Sequence, residues 1–229
     1  MSKSKKEHNE GSFENVEQAL SKTEQFIENN QKIITIIVTI IVIIIGGYYG
    51  LKKFHFQPKN KEAQAAIYNA QEFFAKDSFQ LALDGDGNKL GFLDIIDEYG
   101  FTSSANLSKY YAGICYLHLG EFEKAIDYLK SYSGKDEIIS NIALGAIGDA
   151  YVELGEKQDA VKYYKSASAA DNEFTAPIYL MKLGLLQEDL GKYSNALETY
   201  KKIKDNYKSS NEGRQIDKYI TRAEIESKK

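Results

Sequence analysis

The chain has 229 residues, with 29 Lys+Arg against 33 Asp+Glu and a net charge of −4. Residues 60–229 hold 21 basic and 27 acidic side chains and no basic stripe, which argues against nucleic acid as a partner. A single cysteine, Cys115, excludes an intramolecular disulfide framework and a multi-cysteine metal site.

Residues 1–32 read as an N-terminal tail. Its opening, "MSKSKKEHNEG", is polar and is expected to lack structure. "SFENVEQALSKTEQFIENN" then sets Phe13, Val16, Leu20 and Ile27 on one helical stripe, an amphipathic helix suited to a membrane surface or to docking.

Residues 33–51 follow, 19 positions without a charge. At about 1.5 Å per residue the run is roughly 28 Å long, close to the hydrocarbon thickness of a bilayer. Eleven of its first thirteen residues are Ile or Val. Together they favour insertion by roughly 3 to 7 kcal/mol. A soluble core helix would keep a polar face, and this run has none. It is also too long for the apolar part of a cleaved signal, and no small-x-small site follows it. A transmembrane helix is the expectation, with Tyr48 and Tyr49 at one interface. Residues 52–60 read as a linker.

Residues 61–100 read as a degenerate helical hairpin. Ala65, Ile67, Ala70, Phe73, Phe74 and Phe79 have helical spacing over Lys61–Ala82, "DGDGNKLG" breaks it, and "GFLDIIDEYG" forms a short second helix. Asp84, Asp86 and Asn88 mimic the start of a calcium loop. The positions that should hold Gly and a bidentate Glu are Lys89 and Ile95, so a Gly-rich Asx turn is expected instead.

From residue 103 to 205 the chain repeats. "YYAGICYLHLGEFEKAIDYLKSY", "GAIGDAYVELGEKQDAVKYYKSAS" and "MKLGLLQEDLGKYSNALETYKKI" align, with Gly120, Gly155 and Gly191 spaced by 35 and 36 residues. Gly113, Gly148 and Gly184 keep that interval, as do Ala125, Ala160 and Ala196. Each unit is a helix, a glycine turn and a second helix, and the small residues let the two axes approach, with Tyr116 and Tyr151 expected beside them. Residues 206–229 supply a C-terminal capping helix with Ile216, Tyr219, Ile220 and Ile225 on one face.

No nucleophile–base pair, metal-ligand cluster or phosphate loop stands out, so no catalytic residue, metal or other cofactor is assigned and an enzyme is not expected. His8, His55 and His118 are far apart in sequence, and Cys115 reads as core packing.

The repeats resemble the tetratricopeptide-repeat family at Gly113, Tyr116, Gly120, Ala125 and Leu129, at Gly148, Tyr151, Gly155, Ala160, Tyr164 and Ala167, and at Leu183, Gly184, Gly191, Ala196 and Tyr200. Gln187 stands where the family has an aromatic, and no repeat ends in the family's proline. The resemblance implies a helical-hairpin solenoid with its cap; with the transmembrane helix ahead of it, the expected fold class is all-α. It also implies a concave protein-binding groove lined by the first helix of each repeat. In the first repeat that face is Leu107, Tyr110, Ile114, Leu117 and His118; in the second Ile142, Asp149, Val152 and Glu153; in the third Ile178, Met181, Leu185, Glu188 and Asp189. Family members that clamp a carboxylate present Lys, Arg and Asn there. This face presents apolar side chains with acids, which suits an apolar segment bearing positive charge. The alternative is that Lys61–Ala82 or the terminal helix fills the groove.

Charge near the span favours a cytoplasmic array: Lys52, Lys53, Lys59 and Lys61 follow it, against Lys22 and Lys32 before it. The layout points the other way. A short acidic tail, "FIENN" before one span, Gly and Tyr at its far end and then repeats resemble the YfgM-type ancillary Sec translocon proteins. That resemblance implies a cytoplasmic N-terminus, a periplasmic repeat domain at the inner membrane, the translocon channel and a membrane-anchored prolyl isomerase as partners, and chaperone-like binding of emerging polypeptides. A scaffold recruiting one partner to an envelope complex and a cytoplasm-facing recruitment module are the alternatives.

Overall fold

The computed structural model describes residues 4–229, with side chains from residue 24 onward. The chain divides into two compact units, Met1–Pro58 and Lys59–Lys229.

The first unit contains α1 (Ser4–Leu51) and one π-helical turn (Lys52–Phe56). The polar leader from Ser4 is helical rather than unstructured. Extending an existing helix costs far less than nucleating one, and α1 supplies the helix to extend. The stripe Phe13, Val16 and Leu20 lies outside the described side chains. One helix here is long and apolar enough to cross a membrane, and its apolar window has no buried residue. Its two threonines are satisfied within the helix, Thr35 Oγ1 donating to the Gln31 carbonyl at 2.8 Å and Thr39 Oγ1 to that of Thr35 at 2.8 Å. The expected linker is helical throughout, since α2 (Gln57–Phe74) starts directly after the π-helical turn, although the division between units does fall inside it.

In the second unit the helix expected over Lys61–Ala82 is broken. After α2 the chain turns through Asp77, which takes a left-handed φ of 55°, and resumes as α3 (Phe79–Asp84). Asp tolerates that conformation better than most residues. The break lets Phe79 fold back on Phe74, ring centroids 5.7 Å apart. The following loop is the expected Asx turn: Asp86 Oδ1 accepts from the backbone N–H of Asn88 at 2.9 Å and Lys89 at 2.7 Å, which holds its pKa below the usual value. Then comes α4 (Phe92–Glu98). Ala63, Ile67 and Ala70 of α2, Leu83 of α3 and Phe92 and Ile95 of α4 are buried with Ala112 and Cys115 of the next helix. Burial pushes the Cys115 thiol up to about 12, so it packs as a neutral group.

The array consists of three hairpins: α5 (Ser103–His118) with α6 (Phe122–Ser131), α7 (Glu137–Glu153) with α8 (Lys157–Ala167), and α9 (Ala176–Asp189) with α10 (Tyr193–Asn206). Thr102 and Asp136 cap α5 and α7 by accepting from backbone N–H groups three residues on. The turn glycines Gly120, Gly155 and Gly191 have φ of 79°, 77° and 69°, a region that a Cβ disfavours.

The helix glycines meet a large side chain from the second helix of their own repeat. A Cβ on Gly113 would lie 2.5 Å from Leu129, one on Gly148 2.6 Å from the Tyr164 ring, and one on Gly184 would run into Tyr200. Tyr116 and Tyr151, expected in that space, instead stack on Tyr128 and Tyr163 at 5.2 and 5.3 Å. Gln187, the departure from the aromatic pattern, is buried and accepts a 2.8 Å hydrogen bond from Thr199 Oγ1, so its polar group is satisfied.

The terminal segment forms a 3₁₀ turn (Gly213–Gln215) and α11 (Asp217–Glu226). Ile216, Ile220 and Ala223 are buried against α9 and α10, whereas Ile225, expected on that face, is 56% exposed. Alanine at position 223 completes the stripe one turn after Ile220. Arg222 Nε donates to Glu188 Oε1 at 3.2 Å and its second nitrogen contacts Oε2, a forked pair whose carboxylate side is 11% exposed. Arg222→Ala should cost about 1–3 kcal/mol by leaving that carboxylate unpaired. Hydrogen exchange should speed up first in α11 and the last turn of α9; unchanged exchange there would remove the pair from the account of how α11 is held.

Candidate peptide-binding face

One periodicity selects the side chains of the face. Along α7, Ile142, Asp149 and Glu153 are separated by seven and four residues, which keeps them on one stripe, with Val152 beside it. The equivalent stripes of α5 and α9 carry the other sequence-selected residues, but their surroundings differ widely.

At the first repeat the face is partly occupied by the chain itself. Leu107 packs into the core formed with α2–α4. His118 lies flat on Phe79, ring centroids 4.3 Å apart and planes 4° from parallel. Tyr110, Ile114 and Leu117 are half-buried against the second repeat, and burial pushes the Tyr110 hydroxyl up to about 12. At the other end Met181 packs on the terminal core, and Glu188 is held by Arg222. Both segments considered as groove fillers thus reach the face, Phe79 from the first hairpin and Arg222 from the terminal helix, each at one edge.

The middle is open. Leu117, His118, Val152, Glu153 and Asp149 come together with Gly120, Phe122 and Tyr164 around a cleft of about 500 Å³. Toward the N-terminal ends of α7 and α9, Ile178 is 41% exposed and Ile142 is half-buried; Leu185, two turns further along α9, is 40% exposed. Two residues that the repeat register did not select join this end. Asn172 Nδ2 donates to Glu137 and Asn141 Nδ2 donates to Thr175 Oγ1, both at 3.2 Å. These bonds pin the loop before α9 beside the first turn of α7; Phe174 in that loop is 73% exposed and Ile138 in that turn 42% exposed. Phe174 sits in a connection and Ile138 in a first turn, outside the positions that line the face in the family. An aromatic exposed in a polar loop was the available signal.

The acids are mostly neutralised from within. Asp149 receives both a 2.6 Å hydrogen bond from the Tyr164 hydroxyl and 2.7 Å bonds from Lys182 Nζ to each carboxylate oxygen, tying α7, α8 and α9 together. Asp189 pairs with Lys157 at 2.6 Å, and Glu188 with Arg222. Among the described residues, Glu153 is the one acid of the face without a hydrogen bond or ion pair. The face therefore offers apolar surface, one available carboxylate and no group placed for covalent chemistry.

Two tetratricopeptide-repeat family models match the chain, over residues 108–135 and 146–211. The fold is similar to two crystal structures of MamA. One is 20% identical with a TM-score of 0.50, covering 69% of this chain and 94% of that one; the other is 19% identical with a TM-score of 0.52, covering 72% and 92%. No curated protein sequence matches significantly. Residues 108–135 and 146–211 thus carry tetratricopeptide repeats, which mark a protein–protein interaction module.

Proposed function

We propose that the chain is a membrane-anchored adaptor that holds apolar polypeptide segments on the open middle of its concave face. The carrying observation is the pairing of an exposed, uncharged Ile/Val helix with an array whose face leaves Ile178, Leu185 and Phe174 in solvent. Anchoring raises the effective concentration of the array at the bilayer, so weak apolar contacts suffice to retain a partner that is itself at the membrane. The layout resembling YfgM-type proteins supports an N-terminus in the cytoplasm, the array on the outer side of the inner membrane, and polypeptides emerging from the Sec translocon as the clients, with a membrane-anchored prolyl isomerase as a neighbour. The lysines after the span oppose this orientation, but the positive-inside bias is weak for long translocated domains.

Photo-cross-linkers at Ile178 and Leu185 of the full-length chain in its membrane, followed by mass spectrometry, test the reading. Many apolar client segments, with the translocon channel among the adducts, are expected. One stoichiometric adduct identifies a scaffold, and no adduct at either position ends the docking proposal. Protease added to spheroplasts should digest the array; protection there puts it in the cytoplasm.

A further inference from the structure

We infer that the face reads a composite signal: a polypeptide segment in extended conformation with bulky apolar side chains at one end and a Lys or Arg about five residues away. This rests on the docking reading above and adds charge and register to it. The apolar subsite is the end of the face formed by Ile138, Ile142, Phe174 and Ile178. The charged subsite is the cleft at the C-terminal ends of α5 and α7, where Leu117 and Val152 flank Glu153.

Charge complementarity selects the occupant. Lys182, Lys157 and Arg222 consume Asp149, Asp189 and Glu188, so those acids are already neutralised and add little attraction for a partner. Glu153 lines the cleft with no cation bonded to it among the described residues. His118, the other titratable side chain of the cleft walls besides Asp149 and Tyr164, is stacked on Phe79. A cationic side chain entering the cleft gains the open carboxylate, with its methylenes against Leu117 and Val152. An acidic side chain meets Glu153 at close range and is repelled. Register follows from helix geometry. Ile142 and Glu153 are eleven residues apart on α7, about 16 Å at 1.5 Å per residue, which an extended peptide covers in about five residues at 3.3 Å each.

The test uses the full chain in lipid nanodiscs and three photoreactive peptides. They share an apolar triplet and differ only in Lys, Gln or Glu five positions on; empty discs supply the partition background. Cross-linking titrations mapped to Ile178 should give the Lys peptide about tenfold tighter binding than the Glu peptide, with Gln between. Glu153→Gln, an exposed substitution, should bring the three together, and moving the Lys next to the triplet should erase its advantage. Equal binding of all three by the unaltered protein overturns the charge rule and leaves docking intact. A charge preference that survives E153Q overturns the assignment to Glu153. Absence of any cross-link at Ile178 overturns both readings.

Discussion

Gly148→Leu is expected to destabilise the array by about 3 kcal/mol, near the upper end of the usual cost of overpacking. The Tyr164 ring lies 2.6 Å from where a Cβ would stand, and it has little freedom to retreat. It is buried, and its hydroxyl is fixed to Asp149. Displacing the ring would therefore also disturb the Asp149–Lys182 pair that joins the second and third repeats. Because each repeat is stabilised by its neighbours, the damage should spread to α9 and α10. Gly120→Ala is the matched control. Nothing lies within 4 Å of its Cβ, so only the strain of φ 79° remains, about 1 kcal/mol. Thermal unfolding of the full chain in mild detergent, followed at 222 nm, compares the two. Equal melting temperatures for Gly148→Leu and the unaltered protein would show that the pairing of these helices is misassigned.

The repeat frame was legible because it is written in small residues. A glycine beside a large side chain of the repeat's second helix and a glycine in a left-handed turn are constraints local to one hairpin, and three copies at one spacing expose them. The Ile/Val helix was legible for the same local reason, since length and absence of charge are properties of one segment. The state of the binding face was not. Whether Asp149, Glu188 and Asp189 are available depends on Lys182, Arg222 and Lys157, each 32–34 residues away and on another hairpin or the cap. Likewise, nothing in the periodicity of Lys61–Ala82 places Phe79 on His118. That contact requires the turn at Asp77, a backbone choice made by the core below it. Sequence periodicity found the stripe; tertiary partners decided which of its members remain open.

Alkali is expected to unfold the array between about pH 11 and 12, and the cause is a set of buried phenols. Tyr164, Tyr179 and Tyr200 are at most 7% exposed, and each has its pKa raised, first by burial and then by a neighbouring acid: Asp149 for Tyr164 and Tyr179, and Glu188 for Tyr200. A raised pKa means that folding favours the neutral phenol. Its contribution is whole below the unfolded value of about 10 and is lost as pH rises toward the folded one. One unit above the unfolded value each phenol has forfeited about 1.4 kcal/mol, so three together forfeit about 4 kcal/mol, a large part of the 5–15 kcal/mol typical of a domain. Helix signal at 222 nm and tyrosinate absorbance at 295 nm should therefore show a shared late step. Tyr200→Phe should move that step to higher pH, because its ring still fills the space against Gly184 while one ionising group is gone. If every tyrosine titrates near pH 10 with the helices intact, the rings between the repeats are open to water and the packing described for Gly148 and Gly184 does not hold.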